Sequence, residues 1–273
     1  MGAMFRPLAT VTADLTLAAV VARLAAARAV DGIVLFGTTA ISIDDAGDYD
    51  VLVIVDLDPV PARSGITWVA GRLTDLAFAG TPELQQLEEE TPARLMDNRR
   101  GQLMRWLATG RVAFDRHGLL GRVQNRLQVL PQEVDVTEDE RFRRWDHTNY
   151  NVVQSARYVA AGDETYREAF DLRMTYQLAD VMVDYFRVRG MVWPGEKDAV
   201  RHWNRGDPAF KQLMFACLHE PDRERRFALY RNAVAHALEP VGGVWPHHAT
   251  SMTPGEGNTV EEANRFWLAL LGE

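Results

Sequence analysis

Apolar and polar positions alternate along the first part of the chain in a way that separates helix from strand. Leu17, Val20, Val21 and Leu24 fall at i, i+3, i+4 and i+7 behind Thr12-Ala13-Asp14, which predicts an amphipathic helix ending near Ala29. Gly32–Phe36 is short, apolar and partly β-branched and reads as a buried strand, broken by Gly37-Thr38-Thr39. Asp48–Val55 reads as a second buried strand, closed by Asp56-Leu57-Asp58-Pro59. Ile66–Val69 and Arg72–Phe78 flank Ala70-Gly71 and predict a hairpin or one bent strand. Segments 83–90 and 101–107 are helical in pattern, and Arg111–Asp115 is a last short strand. At Leu130-Pro131 the composition changes, and Gln132–Glu140 is acidic and turn-prone. From Arg141 onward the period is helical, with helices expected over 139–161, 165–190, 196–204, 208–219, 222–238 and 259–271. The pattern predicts an α+β chain in two domains: residues 1–130 with a mixed sheet, and an all-α helical bundle over 131–273.

Composition narrows the function classes. Hydrophobic residues make up 47% of the 273, enough for a sizeable core. A net charge of −8 repels polyanions, so sequence-independent nucleic-acid binding is disfavoured and a cationic ligand is favoured. The single cysteine, Cys217, excludes an intrachain disulfide and fits a reducing cytoplasm; its apolar neighbours predict core packing rather than nucleophilic chemistry. No apolar run reaches the length of a membrane span, and no signal-peptide pattern opens the chain, so a soluble cytoplasmic protein is expected.

Candidate chemistry concentrates in Phe36-Gly37-Thr38, followed after nine residues by Asp48-Tyr49-Asp50-Val51, with Asp75 on a later strand between Leu73 and Leu76. Side chains two apart on a strand share a face, so Asp48 and Asp50 are expected to converge on metal, with Asp75 completing the site from a neighbouring strand. Hard carboxylate oxygens suit Mg²⁺, which neutralises charge in phosphoryl-type transfer. Gly37 permits close backbone approach to a phosphate, and Thr38 supplies a hydroxyl. An unpaired carboxylate at the head of an apolar strand is costly, which argues that Asp50 is more than a turn residue.

These residues resemble the signature of the DNA polymerase β-type nucleotidyltransferase superfamily over roughly residues 10–125, with Arg111–Leu120 similar to a recurrent final strand. Thr38 stands where Ser is commoner, and Gly47 stands where Ser often precedes the first Asp. The resemblance implies two Mg²⁺ ions on Asp48, Asp50 and Asp75, with Asp75 also placed to take the acceptor's proton. It implies an NTP co-substrate, ATP as first choice, and transfer of NMP to a hydroxyl with release of pyrophosphate. Gly195–Ala199 resembles the lysine segment of the aminoglycoside-modifying branch, in which a helical domain closes over the nucleotide; Lys197 is then the expected triphosphate contact. That branch implies a small, cationic, antibiotic-like acceptor, with Asp146, Asp180 and Asp184 as acceptor-binding candidates beside the plainer reading of surface ion pairs. The rival is a toxin–antitoxin or regulatory enzyme that modifies a protein or a tRNA. Arg231 and His236 match the Arg-x4-His pattern of HEPN domains, some of which are ribonucleases; in an Ala- and Val-rich helix the pair is expected to be structural. His147, His202, His247 and His248 show no metal-ligand spacing. Trp193 and Trp203 are expected in the core, with base stacking beside Lys197 as the alternative.

Overall fold

The computed structural model describes residues 11–89, 98–129, 133–134, 136–246, 249–255 and 257–271. The chain divides into two compact units, Met1–Gln132 and Glu133–Glu273. The composition change at Leu130-Pro131, His247 and His248 lie outside the described residues.

The first unit is built from α1 (Leu17–Ala26), β1 (Val30–Leu35), α2 (Gly37–Ile41), β2 (Tyr49–Val55), β3 (Ser64–Val69), β4 (Arg72–Gly80), α3 (Thr81–Glu89), α4 (Arg99–Thr109), β5 (Arg111–Asp115) and α5 (Leu119–Leu127). The five strands form one mixed sheet in the order β3-β4-β2-β1-β5, with β2 and β4 parallel and the other neighbours antiparallel. Strand β2 is central and apolar on both faces. Tyr49, Val51, Val53 and Val55 pack with Leu17 and Val20 of α1, whereas Leu52 and Ile54 join Leu84, Leu87, Met104, Leu107 and Leu120 from α3, α4 and α5. Burial of each such side chain stabilises the unit by roughly 1.5–3 kcal/mol. Asp50 belongs to the second face, in line with Leu52 and Ile54, and is its polar interruption.

Several boundaries differ from the sequence expectation. Helix α1 opens later than Thr12-Ala13-Asp14, because Thr16 caps it by accepting from Ala19 N–H at 3.2 Å, and it stops at Ala26. Gly37-Thr38-Thr39 does more than break β1: it starts the single turn α2. Asp48 lies in a bend before β2 rather than on the strand. The hairpin alternative holds for Ala70-Gly71, since Val69 pairs with Arg72 and both central residues have positive φ (50° and 74°), the geometry of a tight two-residue turn. Residues 116–120 do not extend β5; Leu119, Leu120, Val123 and Leu127 carry helical spacing and fold as α5, burying that stripe.

The second unit contains α6 (Glu138–Val159), α7 (Glu164–Arg187), α8 (Glu196–Gly206), α9 (Pro208–His219), α10 (Arg223–Ala237) and α11 (Val260–Leu271). The side chains of Thr137, Asp163, Asp207 and Asp222 cap α6, α7, α9 and α10. Its core gathers Phe170, Met174, Val181, Phe186, Trp203, Phe210, Met214, Cys217 and Tyr230. Trp203 is 2% exposed, so it packs and does not offer a face to a base. Among the described residues no helix is long and apolar enough to cross a membrane.

Candidate active site

The parallel pairing of β2 and β4 places Asp50 opposite Asp75 in register, and on the other side of β4 Asp75 pairs with Ile66. Phe36 N–H donates to Asp50 C=O at 3.1 Å, so one row crosses the sheet as Ile66, Asp75, Asp50, Phe36. Register partners on neighbouring strands, about 4.8 Å apart, present side chains to the same face. Both carboxylates are half-buried there and line a cleft of ≈430 Å³ together with Phe36, Ser64, Gly65, Ile66, Leu76, Ala77 and Trp106. Phe36 is stacked on Trp106 of α4, with ring centroids 4.6 Å apart, and this pair walls the β1 side of the cleft.

The turn before β2 is seated on the aspartates by a residue that the sequence reading did not single out. Thr39 is fully buried; its hydroxyl donates to Asp48 C=O at 3.3 Å and accepts from Asp50 N–H at 2.9 Å. Gly37 has φ +57°, and a Cβ there would overlap Asp50 Oδ2 and stand 3.2 Å from its Cγ. Glycine is therefore favoured at this position by its positive φ and by the close approach of the Asp50 carboxylate. Thr38, next in the turn, is exposed, as is Gly37. Arg72, at the head of β4, donates to Ile43 C=O (2.7 Å), Ala46 C=O (2.6 Å) and Asp44 C=O (3.0 Å) and lies over the Tyr49 ring at 5.2 Å. It thereby gathers the loop that delivers Asp48. A threonine four residues past a strand and an arginine just after a hairpin turn carry no local signal of these roles, since both act on the distant segment leading into β2.

The donor set fits Mg²⁺ in part. Asp50 and Asp75 converge by register, and Asp48 stands just before β2, so the oxygens are of the hard type that the ion prefers. Among the described residues no group of three or more His, Cys, Asp or Glu is arranged so that it could hold a metal ion, so the expected triad of Asp48, Asp50 and Asp75 is not gathered. Mg²⁺ does not demand one, because it keeps waters and takes oxygens from substrate phosphates alongside one or two carboxylates. The same-face argument for Asp48 and Asp50 does not apply, because the backbone bends before the strand begins; Asp50 and Asp75 share a face instead through strand pairing.

In the helical unit the three candidate aspartates part company. Asp184 is buried, accepts from the Thr148 hydroxyl at 2.6 Å and pairs with Arg144 at 2.9 Å; burial pushes its carboxyl above the usual range against those two partners. Asp180 stands 3.7 Å from His147 Nε2, and both aspartates line a cleft of ≈310 Å³ with Glu140, Arg143, Arg144 and His147. Asp146 instead accepts from Ser251 Oγ (2.8 Å) and Thr253 Oγ1 (3.2 Å) and anchors the segment before α11. Lys197 is exposed in the first turn of α8. Arg231 lines a separate cavity with Asn149, Phe227 and Trp245, while His236 Nε2 lies 2.7 Å from Asp207, which also accepts from the Tyr185 hydroxyl at 3.0 Å. The two members of the Arg-x4-His pair thus face different surroundings.

No family model matches the chain, and no curated protein matches it. Among solved structures, a nucleotidyltransferase-like protein from Exiguobacterium sibiricum is similar at 18% identity and a TM-score of 0.38, over 80% of this chain and 71% of the other.

Proposed function

We propose that the α/β unit is a Mg²⁺-dependent nucleotidyltransferase that moves a nucleoside monophosphate, from ATP as first choice, to an acceptor hydroxyl with release of pyrophosphate. The observation that carries this reading is the in-register pair Asp50 and Asp75 on parallel strands, beside a glycine turn seated on the Asp50 carboxylate. Carboxylates on one face of adjacent strands are an arrangement most useful where a divalent cation binds to them.

Asp50 and Asp75 are the residues that would hold the metal, with waters and substrate phosphate oxygens as its further ligands. When bound, it supplies neutralisation of charge on the triphosphate and on the leaving pyrophosphate. The protein's own contribution is positional. The Gly37 backbone, with no side chain, leaves the approach to Asp50 open on the β1 side, where the exposed Thr38 hydroxyl can donate to a phosphate oxygen. Thr39 fixes the spacing between that turn and both aspartates. On this reading Asp75, which pairs opposite Asp50, accepts the proton of the acceptor hydroxyl. The Phe36–Trp106 stack excludes water from one wall. The triphosphate contact that the resemblance implies for Lys197 is a separate proposal, checked by whether Lys197→Ala weakens NTP binding by about tenfold. A small cationic acceptor suits the net charge of −8.

The test is incubation with each α-labelled NTP, Mg²⁺ and a panel of aminocyclitols, polyamines, tRNA and protein. Metal-dependent labelling of a small acceptor is expected. In a folded Asp50→Asn protein it should fall by at least about a hundredfold, as when transition-state charge loses its counter-ion. Unchanged transfer by that variant would remove the reading, and labelling confined to tRNA or protein would replace the acceptor.

A further inference from the structure

The carboxylate row continues into an apolar shelf that the sheet leaves open. One step along the strands from the Ile66–Asp75–Asp50 row, Trp68 pairs with Leu73, and alternation puts Ile66, Trp68, Leu73, Asp75 and Asp50 on one face. Ile66 is 75% exposed, Trp68 51% and Leu73 36%. Strand β3 is an edge strand, where exposed side chains are ordinarily charged or the strand is blunted, yet its outward positions here carry Ile and Trp. Rows two residues apart on a strand are separated by about 7 Å, and Trp68 is diagonal to Asp75, about 8 Å away, with Asp50 one strand further.

Which part of a substrate meets this shelf follows from the order of the row, given the transfer reading above. In-line displacement sets the attacking oxygen and the leaving group on opposite sides of the transferred phosphorus. Gly37 and Thr38 mark the phosphate side, next to β1, and Ile66 and Trp68 lie across Asp50 and Asp75 from them. We infer that the acceptor carries a flat apolar or aromatic ring, about 8 Å from its reactive hydroxyl, and that this ring stacks on Trp68 beside Ile66 and Leu73. Three side chains are too few for a stable protein interface, which takes on the order of 800 Å² per partner, so the shelf fits a small molecule and not a second copy of the chain. The inference rests on the nucleotidyl-transfer reading and narrows its acceptor from cationic to ring-bearing; the two properties are compatible in one molecule.

The experiment uses the full chain labelled with 5-fluorotryptophan, the Trp68 fluorine line being assigned by its loss in Trp68→Phe. Phenyl β-glucoside and methyl β-glucoside, which share hydroxyls and differ by the ring, are added separately at millimolar concentration, and ATP with Mg²⁺ is added in a third series. The phenyl glycoside should shift the Trp68 line; the methyl glycoside and the nucleotide should not, and the shift should persist in Asp50→Asn. In transfer assays Trp68→Ala should lower kcat/KM for a ring-bearing acceptor by about tenfold, the scale of one lost stacking contact, with NTP affinity unchanged. A Trp68 line moved by neither glycoside, by both equally, or by the nucleotide in place of the phenyl glycoside overturns the inference. Failure of the transfer reading shows elsewhere, as NTP binding that ignores both Mg²⁺ and Asp50→Asn.

Discussion

Replacing Gly37 by alanine tests the seat of Asp50 more sharply than removing the carboxylate does. Two costs are expected. Alanine at φ +57° sits in the left-handed region, at about 1–2 kcal/mol. Its Cβ would also overlap Asp50 Oδ2 and stand 3.2 Å from Cγ, so the carboxylate, the end of a flexible side chain, must turn aside at a small further cost. Gly71 supplies the control. It has φ +74° in the β3–β4 turn, but a Cβ there meets nothing within 4 Å, so Gly71→Ala carries the backbone cost alone. The difference between the two variants isolates the contact with Asp50. Hydrogen-exchange protection of β2 peptides reports stability, and calorimetry with Mg²⁺ and ATP reports the site without requiring the acceptor. Gly37→Ala should lose more protection than Gly71→Ala, and a displacement of Asp50 by about 1 Å should lower transfer about a hundredfold, whereas Gly71→Ala should transfer normally. Equal protection losses together with normal metal-dependent nucleotide binding in both variants would refute the claim that the glycine exists to seat the carboxylate.

Thr39→Val should leave Asp50 N–H and Asp48 C=O without their hydroxyl partner, destabilising β2 by about 1–3 kcal/mol and lowering transfer; Thr39→Ser should restore both, and a fully active valine variant would count against the brace. Cys217 is fully buried, and burial pushes its thiol up to about 11, so at pH 8 a disulfide reagent should react only after denaturation; rapid modification of the native protein would contradict this. The folded thiol keeps its proton through a window, from its ordinary 9.0 to about 11, in which the unfolded chain gives it up, so this group's contribution to stability should fall as pH rises through that window. With His236 held on Asp207 at 2.7 Å and Arg231 lining another cavity, the protein should leave single-stranded RNA intact; metal-independent cleavage abolished by His236→Ala would show the pair to be catalytic.

The hydrophobic pattern by itself determined the strands β1 to β5 and the six helices α6 to α11 to within a few residues, because their periods are local and their flanking caps and turns are written in Thr, Asp, Gly and Pro. It also marked Asp50 and Asp75, since a carboxylate inside an apolar strand stands out wherever the strand is placed. Helix α5 carried its spacing at Leu119, Leu120, Val123 and Leu127 and was masked by a strand-like reading of Arg111–Leu120. What only the tertiary structure decided is pairing. That β4 returns parallel to β2 with Asp75 opposite Asp50, that the same register carries Ile66 and Trp68 alongside, and that Thr39 and Arg72 reach across to hold the turn, are long-range facts with no local period. The three helical aspartates make the same point. One period places Asp180 and Asp184 on a common face, but whether a carboxylate meets Arg144, His147 or Ser251 depends on which helix or segment packs beside it. A side chain's direction is set by its own backbone, and its partners by whatever chain folds against it.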